Sequence, residues 1–176
     1  MTSPLFDPLR HNAWATRQLL AFCRGLDPSQ LDATATGTYG SILATLQHLI
    51  GAEHRYRKRL AGEPGAWARE PEETDDLVEL TSMAEDMAAY WDSVLEGDFD
   101  PDRVIAWTSA DSGARTEVAA GMLIAQLLNH GNEHRSQVCT VLTEIGIEPP
   151  ELDGWSYGIV SGRFTEDPVV HTVPTY

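Results

Sequence analysis

A chain of 176 residues suits one domain with a full core, and nothing in it demands two. The composition is globular, 42% hydrophobic and 22% charged, with five Trp and no low-complexity run. A net charge of −15 argues against nucleic acid or an anionic membrane as partner, since either needs a basic surface to displace counterions.

Residues 7–24 read as the first helix, with Pro8 near its start, where a missing N–H does no harm. Leu5, Leu9, Ala13, Thr16, Leu20 and Cys23 make its inward stripe. Trp14 points away from that stripe, so it covers a loop, a neighbouring helix or a second subunit. Gly25 ends the helix, and Asp27-Pro28-Ser29-Gln30 reads as a cap with a short helical turn. Residues 32–40, rich in Thr, Ala and Gly, make a crossing loop.

The second long helix runs over about 41–60 and ends at Gly62. Ile42, Leu49, Ala52, Tyr56 and Leu60 form its apolar stripe, with His48 toward one edge. His54 lies well off that stripe beside Arg55, Arg57, Lys58 and Arg59, and is expected on the surface. A loop over 63–73 follows. Thr74 or Asp75 then caps a third helix that reaches about residue 96 and buries Leu77, Leu80, Ala84, Met87, Trp91 and Val94.

Two short extended pieces, 104–109 and 115–118, flank the turn signature at 110–113 and predict a small hairpin. The last long helix covers about 119–145, with a short helix within 152–164 and an extended tail from residue 166. Four substantial helices joined by loops too long for a tight meander predict an all-α four-helix bundle with crossover connections, 1–176 forming one domain. Cys23 and Cys139 lie far apart without metal spacing and read as free thiols in a reducing cytoplasm. The N-terminus lacks the pattern of a signal peptide, and the longest uncharged apolar segment is too short to span a bilayer.

The chemistry concentrates in the last long helix. His130 and His134 stand four residues apart, on one helix face, close to the stripe of Leu123, Leu127, Val138, Val141 and Ile145. Burying two polar rings without partners costs about 1–3 kcal/mol each, and a metal ion satisfies both if a third ligand exists. The bland alternative is a pair of hydrogen-bonded core histidines. His48 is the best third ligand; His11 and His171 are weaker ones. Three neutral imidazoles would leave a coordination position open, the pattern of a catalytic metal.

The stretches 11–20 (HNAWATRQLL), 40–53 (GSILATLQHLIGAE), 129–138 (NHGNEHRSQV) and 146–153 (GIEPPELD), in that order, span nearly the whole chain. Together they resemble the DinB/YfiT-like superfamily of bacterial four-helix-bundle metalloproteins. The resemblance implies a divalent metal on His48, His130 and His134. It also implies a homodimer and, as in thiol-dependent transferases and isomerases of the superfamily, activation of a low-molecular-weight thiol. Zinc or nickel suits three imidazoles. Where the family often has another His, this chain has Glu133, which leaves the three ligands unaffected.

Two rival readings stand beside this one. His130-Gly131-Asn132-Glu133-His134 formally matches the inverted zinc-protease motif, with Glu133 as general base of a small hydrolase. Too little chain follows His134 for a protease of that kind. The other is a non-catalytic, stress-associated metal-binding dimer. A ferritin-like di-iron site is excluded, because no Glu stands three residues before any histidine.

Overall fold

The computed structural model describes residues 5–63, 74–108 and 112–165. The elements in chain order are α1 (Phe6–Cys23), α2 (Pro28–Leu31), α3 (Ile42–Ala61), α4 (Leu77–Glu96), β1 (Val104–Thr108), β2 (Arg115–Ala119), α5 (Ala120–Glu144) and α6 (Gly154–Val160). Helix α3 packs against α5 and α4, and α1 packs against α4 and α5. The four long helices thus form a ring in which α1 faces α3, and α4 faces α5, across the diagonal. Crossing a diagonal takes chain. The first crossing uses the segment holding α2, and the second uses the β1–β2 hairpin.

Local chemistry sets the ends. Ser41 accepts the Ala44 N–H at the start of α3, and Gly62, at φ +70°, closes it in the left-handed conformation. Helix α4 is capped by Asp76, whose carboxylate accepts the Val78 N–H, instead of by Thr74 or Asp75. Thr74 serves one step earlier, its hydroxyl accepting the Asp76 N–H. The hairpin is antiparallel, with Val104 opposite Ala119 and Thr108 opposite Arg115. Part of its turn, like the loop over 64–73 and the tail beyond residue 165, lies outside the described residues.

The core has two ends. Leu19, Leu20, Ile42, Leu46, Ile50, Met87, Val138 and Leu142 fill one, while Leu9, Trp91, Ile105, Ile124 and Leu127 fill the other. The predicted stripes hold in their middles. Leu5, Leu77 and Val94, near helix ends, are only half-buried and Ile145 is exposed, while Tyr56 is half-buried with its ring 6.0 Å from that of His130. Trp14 is covered by a neighbouring helix, its ring 5.7 Å from that of Tyr157 on α6. No helix among the described residues is long and apolar enough to cross a membrane.

Between the two ends runs a polar layer of which periodicity revealed only Thr16. Asn12, Thr16, Glu53 and Arg135 are each at most 4% exposed. Arg135 Nη1 donates to Asn12 Oδ1 at 2.8 Å and to Thr16 Oγ1 at 3.0 Å, and Asn12 Nδ2 donates to Glu53 Oε1 at 2.7 Å. Burial pushes the Glu53 carboxyl up, against the opposing pull of the Asn12 amide and the Arg135 charge. Gly131 makes the layer possible, since a Cβ there would collide with Asn12 Oδ1 and Arg135 Nη1.

Removing one member of such a layer strands the others in a dry core. Arg135→Met should therefore cost about 3–5 kcal/mol in urea unfolding. Glu53→Gln, which keeps an acceptor for Asn12, should cost clearly less. A loss under about 1 kcal/mol in Arg135→Met would show that the layer does not hold the three helices.

Candidate metal centre

Along the seam between α3 and α5, His48, His130 and His134 converge, and one nitrogen from each lies within 4.8 Å of the other two. The closest approach is His130 Nε2 to His48 Nε2 at 3.2 Å. Ligand nitrogens about 2.0–2.1 Å from a tetrahedral zinc are roughly 3.3 Å apart, so this pair already stands at a ligand–ligand separation. His134 is buried, and the other two are half-buried.

The protein's own hydrogen bonds select the donor atoms. Gln137 Oε1 accepts the Tyr39 backbone N–H at 3.1 Å and also lies 2.9 Å from His134 Nδ1. The amide oxygen faces both groups, so His134 carries its proton on Nδ1 and leaves the Nε2 lone pair free. His130 is not satisfied by the protein. Its Nδ1 is buried without a hydrogen-bond partner. If Nε2 donates to His48, Nδ1 is a stranded lone pair; if Nδ1 holds the proton, it is a stranded donor. Hydrogen bonding within the trio alone does not complete it. Burial, then repulsion from His134, His48 and Arg55, pushes the His130 imidazole down to about 4, so it is neutral near pH 7. Neutral imidazole is the form that binds metal.

Tyr39, from the crossing loop, flanks the trio. Its ring stacks on His48 at 4.1 Å and meets His134 edge-on at 5.5 Å, while the residue remains 49% exposed. Sequence reasoning missed both Tyr39 and Gln137. Gln137 stands one turn after His134 on the same face, which could have marked it; a tyrosine in an irregular loop carries no such signal.

The remaining histidines have other work. His11 Nε2 donates to the Leu152 carbonyl at 2.7 Å, tying α1 to the segment before α6. His54 is half-buried instead of on the surface, with Arg57 Nη2 at 3.3 Å from its Nε2. His171 lies outside the described residues. Glu133 is exposed and stands outside the histidine group. Both cysteines are free. Burial, with the Cys139 charge behind it, pushes the Cys23 thiol up to about 12, and burial raises Cys139 as well. Neither supplies a thiolate near neutral pH.

The metal-free fold holds His130 neutral, whereas the unfolded chain protonates it below the ordinary value of 6.5. The unfolded state therefore takes up more protons as pH falls from 6.5 toward 4, and stability falls with it. Urea midpoints of chelator-treated protein should drop across that window, and His130→Leu should flatten the drop. An equally steep fall in His130→Leu would locate the acid sensitivity elsewhere.

No curated protein gives a significant match to this chain. The model of the DinB family matches residues 1–161, nearly its whole length. Four long helices in a crossed-over bundle, a hairpin before the last of them and a histidine from α3 meeting a His-x-x-x-His pair on α5 agree with that match, and the chain belongs to the DinB family.

Proposed function

We propose that the protein is a divalent-metal-dependent transferase acting with a low-molecular-weight thiol, its metal held by His48, His130 and His134. The observation that carries this reading is the convergence of three imidazoles on one seam, with one His130 nitrogen left unsatisfied by the protein. Three protein ligands leave a coordination position open, as catalytic rather than structural sites do. A divalent ion there would lower the pKa of a thiol at the open position and so supply a thiolate nucleophile at neutral pH.

The chain's own residues supply the rest. Gln137 fixes the His134 tautomer and ring orientation, and Tyr39 offers a flat surface beside His48 against which a bound molecule can lie. Because burial keeps Cys23 and Cys139 protonated, the reacting sulfur comes from outside the chain. Zinc or nickel fits three imidazole donors, and availability decides between them.

Metal content by mass spectrometry of untagged protein should give about one ion per chain. His48→Ala, His130→Ala and His134→Ala should each lose it, and His54→Ala should keep it. Full metal content in His134→Ala would sink the assignment. Glu133→Ala should retain both the ion and thiol-transfer activity. Retained ion with hydrolysis of small esters or amides lost would favour the rival in which Glu133 is a base.

A further inference from the structure

Helix α3 places more than a ligand beside the seam. His48, Gly51 and Arg55 stand at i, i+3 and i+7, one above another on a single face. Arg55 bends back along that face, so that its Nη1 lies 3.3 Å from where a Cβ on Gly51 would be. The bare glycine makes room for a guanidinium one turn from the His48 ligand. Among the described residues Arg55 makes neither a hydrogen bond nor an ion pair. Its neighbours are committed elsewhere: Arg57 is held by Glu63 at 2.8 Å, and Arg59 lies over the Tyr56 ring at 5.8 Å.

An arginine with no counter-ion among the described residues is out of character in a chain of net charge −15. Half-buried on the helix that carries His48, it sets a positive charge beside the three imidazoles. We propose that Arg55 is an anion-recognition residue of the site, binding the carboxylate of a small substrate or thiol whose other end reaches the metal. A guanidinium offers paired donors that match a carboxylate in two parallel hydrogen bonds. The spacing of about one helical turn between Gly51 and His48 admits a ligand whose carboxylate stands only a few bonds from its metal-binding atom. This inference rests on the metal reading above and adds the charge of the ligand to it.

Cobalt-loaded protein tests it, because a thiol bound at cobalt gives a charge-transfer band that is read without any assay of turnover. Dissociation constants would be measured for 3-mercaptopropionate and for its neutral counterpart, 3-mercapto-1-propanol, in the wild type, Arg55→Gln and Arg55→Lys. The wild type should prefer the acid. Arg55→Gln should weaken the acid by about tenfold or more, leave the alcohol within about twofold and keep the cobalt content, with Arg55→Lys recovering part of the loss. An acid-to-alcohol ratio unchanged in Arg55→Gln would overturn the inference while leaving the metal centre intact. Equal weakening of both thiols would overturn it too. Failure of the wild type to bind cobalt would overturn the metal reading and this inference with it.

Discussion

A guanidinium in the middle of a helical bundle has to be satisfied by the protein, and Arg135 is the group on which this fold closes. Leaving it unpaired would cost several kcal/mol, a large part of the stability of a domain this size. Its partners come from α1, where Asn12 and Thr16 accept its donors, and through Asn12 from α3, where Glu53 takes up the amide. Hydrogen bonds tolerate only a few tenths of an ångström in length. Apolar packing lets helices slide by more than that; this layer does not.

The consequence reaches the histidines directly. Arg135 follows His134 on α5, Gly131 follows His130, and Glu53 lies on the helix that carries His48. The residues that lock α3, α1 and α5 are thus interleaved with those that converge on the seam. Once Arg135 finds Asn12, and Asn12 finds Glu53, the heights of the imidazoles relative to one another are set. Asn12 comes close enough only because residue 131 lacks a side chain. A glycine within a helix costs about 1 kcal/mol relative to alanine, and here that loss is offset by a satisfied buried charge.

What could be read from the sequence follows from what periodicity encodes. The face shared by His130 and His134 is fixed by their spacing alone, and the apolar stripes of α1, α3 and α4 were legible except at Leu5, Tyr56, Leu77 and Val94, which are only half-buried. His48 stood at a stripe edge, where periodicity cannot separate core from rim, and only its convergence with α5 decides its place. The polar layer, Thr16 apart, was invisible for a related reason. Asn12, Glu53 and Arg135 look like surface residues in a hydropathy pattern, because a charge is buried only when its partners are present, and those partners lie on other helices. Tyr39 and Arg55 were missed because their positions depend on a loop path and on space left by a glycine, and neither is periodic.

The strongest ground for choosing between a catalytic site and a sequestering one is the kind of group beside the trio. A site built to hold an ion gains most from a fourth protein ligand, which removes water and closes the coordination sphere. Among the described residues no carboxylate or thiol joins the three histidines, although the chain carries 27 Asp and Glu residues to draw on. Glu133 stands next to His134 in sequence and yet faces solvent. The flanking positions go instead to an aromatic ring stacked on His48 and to an arginine with no counter-ion among the described residues. Neither group improves the hold on a cation, and the arginine weakens it through like charge. Their placement makes sense if a second molecule, flat or anionic, completes the site.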